Sequence, residues 1–262
     1  MAAMSTRFVL LLALLGFGLA ACATTGGGGP TSYTDDAQRL YAQGLEQADD
    51  GDYMLAIGTF EQVRNRFPYS SYAALAELRI ADAEFDRGEF LAAIDAYNTF
   101  VKLRPTHPDV DWAAFRVGEA HYKAIPSDFF IFPSSSERDT TEARAARTTL
   151  DDFIAAYPDS KYVPRARELL DETLRILARH EIYVGDFYAS RKRYRGAANR
   201  YESMLRNYPK LGFDGEATFK LVEMLRELGE NEAAIDALQR YLDRHPDGAD
   251  APRAREMMQE FR

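Results

Sequence analysis

An all-α solenoid of about five helix-turn-helix repeats, closed by a C-terminal capping helix, follows from three observations in this 262-residue chain. Prolines end five apolar-periodic stretches, at Phe67-Pro68, Arg104-Pro105, Tyr157-Pro158, Tyr208-Pro209 and His245-Pro246. Twelve residues before each proline stands an alanine: Ala56, Ala93, Ala146, Ala197 and Ala234. Eight before it stands a large apolar side chain: Phe60, Tyr97, Leu150, Tyr201 and Leu238. Five concordant triplets mark an internal repeat, and units of this length bury their apolar faces only by stacking on one another. With 46% apolar and 28% charged residues the chain can form a sizeable core.

The chain opens with a targeting pattern. Arg7 supplies a positive charge, and Phe8 to Ala21 is an unbroken run of 14 apolar or glycine residues ending in small side chains, so residues 1–21 read as a secretory signal. A spanning helix needs about 20 apolar residues, more than this run offers. Leu19-Ala20-Ala21-Cys22 resembles the bacterial lipobox, in which the cysteine is lipidated and the bond before it cleaved, and Cys22 is the sole cysteine. The plain alternative is an ordinary signal peptide that happens to contain a cysteine. Lipidated at Cys22, the mature chain would be an acidic protein anchored by acyl chains such as palmitate. Ala23 after the cysteine is compatible with export to the outer membrane under lipoprotein sorting rules. Residues 22–36 hold Gly26-Gly27-Gly28-Gly29-Pro30 and form no core; as a flexible tether they reach roughly 20 Å. No strand precedes the glycines and no Gly-Lys-Ser/Thr follows, so they are not a phosphate loop.

From Ala37 the repeats begin. In the first two a glycine closes helix A and turns the chain, at Gly51-Asp52-Tyr53 and Gly88-Glu89-Phe90. Gly44, Ala81 and Gly185 stand 24 residues before their prolines. The alanine in helix B lets helix A approach, the large apolar residue one turn later fills the gap, and the proline stops helix B. This is a tetratricopeptide (TPR) pattern, with 37 residues from Pro68 to Pro105. The 53 residues from Pro105 to Pro158 place an insertion near 125–141, between helix A of the third repeat (Trp112 to Tyr122) and its helix B. Its apolar cluster Phe129 to Phe132 is either tucked onto the solenoid or offered to a partner. Pro158 to Gly185 is 27 residues where other repeats have 13, which predicts one long helix from about Val163 to Tyr188. Pro164-Arg165-Ala166-Arg167-Glu168 returns as Pro252-Arg253-Ala254-Arg255-Glu256, so the C-terminus starts a capping helix. The expected division is 37–158 for repeats one to three and 159–262 for repeats four and five with the cap.

A lipobox, a tether and five such repeats resemble the BamD-like (ComL group) outer-membrane assembly lipoproteins. The most specific stretches are Arg66-Phe67-Pro68-Tyr69 with Tyr72, and Leu103-Arg104-Pro105-Thr106-His107-Pro108 with Asp111. Tyr157-Pro158-Asp159-Ser160-Lys161-Tyr162 and Asn199-Arg200 through Tyr208-Pro209 complete the set. The likeness covers about Ala37 to Pro209. It implies a non-enzymatic adaptor of the β-barrel assembly machinery, lipid-anchored in the outer membrane and facing the periplasm. Such an adaptor binds the POTRA domains of a BamA-like barrel subunit alongside other assembly lipoproteins and helps recruit unfolded outer-membrane proteins. The resemblance puts a substrate groove in the N-terminal repeats and the BamA contact in the C-terminal ones. It assigns Arg200 to an acidic POTRA residue, a pairing suited to the guanidinium fork.

The residues by themselves agree in part. Arg191, Lys192, Arg193, Arg195, Arg200 and Arg206 set six positive charges against Glu202, a cluster able to steer an acidic partner or merely a solvated helix face. Tyr41, Phe67, Tyr69, Tyr72 and Phe85 are groove candidates, although aromatics at helical spacing are more often core. The formal charge of −9 argues against nucleic acid, and one cysteine rules out a disulfide scaffold. His107, His121, His180 and His245 have no zinc spacing, there is no Gly-x-Ser-x-Gly elbow, and Asp151-Asp152 and Asp35-Asp36 point about 100° apart on a helix. Neither an enzyme nor a metal or other cofactor beyond the lipid is therefore expected. The rival reading is a TPR lipoprotein that ties the envelope to peptidoglycan or to a division or secretion machine, since a fold does not fix function.

Overall fold

The computed structural model describes residues 32–126 and 139–261. The signal segment, Cys22, the glycine run and the Phe129–Phe132 cluster lie outside the described residues. Those described are built of eleven α-helices: α1 (Tyr33–Asp49), α2 (Tyr53–Arg66), α3 (Ser71–Asp86), α4 (Phe90–Leu103), α5 (Val110–Ala124), α6 (Thr141–Ala156), α7 (Val163–Ser190), α8 (Tyr194–Asn207), α9 (Asp214–Glu227), α10 (Asn231–Arg244) and α11 (Ala251–Glu260). Each packs chiefly on its chain neighbours; α1 also touches α3, and α5 touches α7. That nearest-neighbour order makes a solenoid in which α1, α3, α5, α7 and α9 are the A helices, α2, α4, α6, α8 and α10 the B helices, and α11 the cap.

Local chemistry sets the ends. Ser32 starts α1 with a capping box: its hydroxyl accepts from the Asp35 N–H while the Asp35 carboxylate accepts from the Ser32 N–H. The Asp35-Asp36 pair is thus a helix start, and Asp151 and Asp152 are exposed. All five B helices stop at the residue before the proline. Phe67, Arg104, Tyr157, Tyr208 and His245 have φ from −126° to −135° and ψ from 48° to 59°, because the following proline ring disfavours the helical region. In the first, second and fifth repeats the turn from A to B takes a glycine with positive φ, Gly51, Gly88 and Gly229, and in the fourth Lys192 takes that place at 56°.

Small residues of the A helices face the large apolar side chains of the B helices, a contact that the alanine of helix B does not make by itself. A Cβ on Gly44 would lie 2.5 Å from the Phe60 ring, one on Gly118 2.7 Å from Leu150, and one on Gly185 2.4 Å from Tyr201. Phe60, Leu150, Tyr97 and Leu238 are fully buried and Tyr201 is 1% exposed. Around these contacts the interior divides into successive clusters rather than one core. The first joins α1 to α3, the second α3 to α5, the third α5 to α7, and the last α7 to α11 with Ala143 of α6. The insertion lies between α5, which ends at Ala124, and α6, which starts at Thr141, and the long helix is α7, of 28 residues. Its first turns (Val163, Ala166, Leu169) pack with Phe115 and Phe153, and its later turns (Leu177, Ala178, Ile182) belong to the C-terminal cluster. Among the described residues no helix is long and apolar enough to cross a membrane.

Candidate partner-binding surfaces

The turn from α7 into α8 carries the basic cluster. Lys192, Arg193, Arg195 and Arg200, with Tyr188, Tyr194, Asn199 and Ser203, line an open groove of about 680 Å³. The Arg200 side chain is 41% exposed, and one Nη donates to Oε2 of Glu181 on α7 at 3.3 Å. Glu181 is buried, so Arg200 both satisfies an internal carboxylate and presents its outer edge to the groove. Arg195 pairs with Glu230, and Arg191 lies 3.6 Å over the Phe187 ring. The six cations therefore do not form one patch. Arg206 lies on another face, lining the hollow between α8 and α10, because six residues on α8 turn it about 240° from Arg200.

In the N-terminal repeats most of the aromatic candidates are packing. Tyr41 and Phe67 are buried. Tyr72 sits 5.4 Å from Tyr41, and Phe85 is covered by the Arg116 guanidinium at 3.5 Å. Tyr69 alone of the five stands out, 95% exposed, its N–H donating to the Tyr33 hydroxyl at 3.4 Å.

Sequence reading did not find the polar hub between α3, α4 and α5. Asp82, 9% exposed, accepts from Arg79 at 2.5 Å, from the Tyr97 hydroxyl at 2.6 Å and from Trp112 Nε1 at 3.2 Å. Arg116 donates to the Tyr97 oxygen at 3.1 Å and pairs with Glu119 at 3.0 Å. The same construction recurs between α7, α8 and α9, at equal sequence separation. The Tyr201 hydroxyl donates to Asp186 at 2.7 Å, and Lys220 pairs with Asp186 at 2.7 Å. An Asp on an A helix, a Tyr on its B helix and a cation on the next A helix thus lock three helices at once. Two stretches singled out by the family resemblance are also tied together, since Ser160 Oγ donates to Asp111 Oδ2 at 2.7 Å.

These phenols are held in their neutral form. Burial, then the charge of Asp82, raises the Tyr97 pKa; burial, then the hydrogen bond to Asp186, raises that of Tyr201. Burial and the bond to Glu172 push Tyr122 up to about 12. A folded pKa above the unfolded one contributes stability that is complete below the ordinary phenol value of about 10 and is lost as pH rises through the folded value. Thermal unfolding followed by circular dichroism should therefore hold steady from about pH 8 to 9 and fall above about pH 10. The fall should be shallower in Tyr97→Phe/Tyr201→Phe, and an unchanged profile in that variant would refute the linkage.

Against this geometry stand the comparisons with known proteins. The YfiO family, described as outer membrane lipoprotein, matches residues 34–241. Among curated relatives, outer membrane protein assembly factor BamD of Neisseria meningitidis serogroup A is 28% identical over 238 residues, covering 87% of each chain. The BamD of Vibrio cholerae is 25% identical over 205 residues, covering 77% of this chain and 83% of that one. Among solved structures, the TPR2AB domain of yeast Sti1 in its pHSP90 complex covers 86% of this chain and 83% of its own at 15% identity, with a TM-score of 0.46. Since the family match starts in α1 and ends in α10, taking in every helix pair, the chain belongs to the YfiO family of outer membrane lipoproteins.

Proposed function

We propose that this protein is a non-enzymatic adaptor of the β-barrel assembly machinery, held at the outer membrane by a lipid on Cys22 and facing the periplasm. Its C-terminal groove binds the POTRA region of a BamA-like subunit, and its N-terminal repeats help bring unfolded outer-membrane proteins to that subunit. The observation that carries this reading is the groove around Arg200: in a chain of net charge −9 it gathers four cationic side chains from the turn before α8 and from α8 itself. Such a groove suits an acidic partner by charge complementarity. Its relatives are named as outer membrane protein assembly factors, which supports the same role here.

The internal pair with Glu181 gives Arg200 a defined part. A guanidinium held by one carboxylate is already oriented, so a second carboxylate arriving from a partner meets a preorganised fork. The test is a mild-detergent pull-down from membranes with tagged wild type and Arg200→Glu, read by mass spectrometry. A POTRA-containing barrel protein should be recovered with the wild type and reduced about tenfold or more with the variant, because like charge replaces a charge-assisted pair. Recovery of peptidoglycan-linked, division or secretion proteins in its place would favour the rival scaffold. Cys22→Ala should release the protein from the membrane fraction, and retention there would refute the anchor.

A further inference from the structure

A second basic hollow lies on a different face, between α8, α9 and α10, with a volume of about 290 Å³. Arg206 from α8 and Arg240 and Arg244 from α10 stand at its rim with Glu202; its floor is Asp214, Thr218, Tyr241 and His245. Neither Arg206 nor Arg240 has an acidic partner among the described residues, and Arg244 donates only to the Leu205 carbonyl at 3.4 Å. The floor is unfinished as well. Asp214 is 4% exposed; its Oδ2 accepts from the Lys210 N–H at 2.8 Å, but its Oδ1 is buried without a partner. His245 Nε2, 3.8 Å from Asp214 Oδ2, is buried and unpartnered too. Buried polar atoms rarely remain so, and two together at the bottom of one hollow call for a group that completes both.

The two halves of the hollow ask for different chemistry, and one ligand class has both. An amide carries one N–H and one carbonyl oxygen, so it can donate to Asp214 Oδ1 and accept from His245 in its Nε2–H form. The rim arginines ask for carboxylates, with which guanidinium groups pair bidentately. A phosphate would suit the arginines but spreads its charge over every oxygen, so any oxygen reaching the floor is repelled by Asp214, whereas a peptide keeps its carboxylates at the rim and meets the floor with a neutral amide. We infer that this hollow is a docking site for an acidic peptide segment of a partner protein, with an amide on the Asp214–His245 floor and carboxylates on Arg206, Arg240 and Arg244. It is separate from the Arg200 groove and does not depend on the role proposed for that groove.

The test is fluorescence anisotropy with the detergent-solubilised full chain and a fluorescein-labelled hexaglutamate peptide at low salt. Saturable binding is expected, weakened about tenfold or more by Arg240→Glu with Arg244→Glu, as loss of charge-assisted bonds requires. Arg39→Glu with Arg165→Glu changes the net charge equally on exposed helix faces elsewhere and should shift the affinity less than about twofold. Should the first double variant unfold by circular dichroism, Arg240→Gln alone gives the same ordering with a smaller loss. Equal losses in the two double variants would show bulk attraction only, and undiminished binding to the Arg240/Arg244 variant would place the peptide elsewhere; either result overturns the site. So would tripolyphosphate displacing the peptide as tightly as unlabelled hexaglutamate does, which would make the hollow a phosphate site.

Discussion

Replacing Asp82 by alanine is expected to cost about 3 kcal/mol of unfolding free energy, the largest loss expected from any single polar group in the N-terminal repeats. The carboxylate receives three donors, from Arg79, Tyr97 and Trp112, which come from three successive helices. Truncation leaves the fully buried Tyr97 hydroxyl and the indole N–H without their acceptor, while Arg79 turns to solvent at lower cost. Asp82→Asn keeps an acceptor oxygen and loses the charge, so about half the effect should remain. Urea unfolding measures both, and hydrogen exchange adds a test of place. In a nearest-neighbour array the loss of protection should concentrate in α3, α4 and α5 and leave α9 to α11 near wild type. A loss below about 1 kcal/mol, or one spread evenly, would mean that the hub is incidental to the stack.

Two helical glycines should respond to alanine with opposite signs. Gly185→Ala puts a Cβ 2.4 Å from the Tyr201 ring, and that ring cannot step aside, being 1% exposed with its hydroxyl on Asp186 at 2.7 Å. Overpacking of this kind costs about 1–3 kcal/mol or more, against roughly 1 kcal/mol gained from helix propensity. The net expectation is a loss of about 2 kcal/mol. At Gly58 in α2 a Cβ would meet nothing within 4 Å, so only the propensity gain remains and Gly58→Ala should stabilise by up to about 1 kcal/mol. Paired denaturation curves decide the matter. If Gly185→Ala were as stable as wild type, the close approach of α7 to α8 would not need a residue without a side chain.

The B-helix ends were legible because a proline acts through its own residue and the one before, both visible in one dimension. The same holds for Gly44 and Gly185, whose fixed distance from the proline mirrors one helix pair folded back on itself. Gly118 plays the same part against Leu150, yet it escaped notice because the insertion lengthens its spacing. The fourth A-to-B turn was equally hidden, with Lys192 adopting the backbone that glycine adopts elsewhere. Asp82 and Asp186 stand at one spacing before their prolines, as do Tyr97 and Tyr201, but which polar side chains meet emerges only once the helices are stacked, and the same is true of the Glu181–Arg200 pair. Proximity along the chain also overstated the basic cluster, since Arg206 and Arg200 share a helix and not a face.

Helix α7 works as a screw of fixed pitch. Compared with the other repeats it carries 14 additional residues before its Gly185, about 21 Å of travel and within about 40° of four whole turns. Its early turns are threaded into the third repeat and its late turns into the fourth, so the number of residues between them is a dial for the bearing of everything downstream. One residue more or fewer would swing the α8 to α11 stack by about 100° and aim the Arg200 groove elsewhere, whereas a seven-residue change slides that stack by about 10 Å and restores its heading to within about 20°. Reach and heading of the two ends are thereby separately adjustable through the length of a single helix, with no change to any side chain that touches a partner.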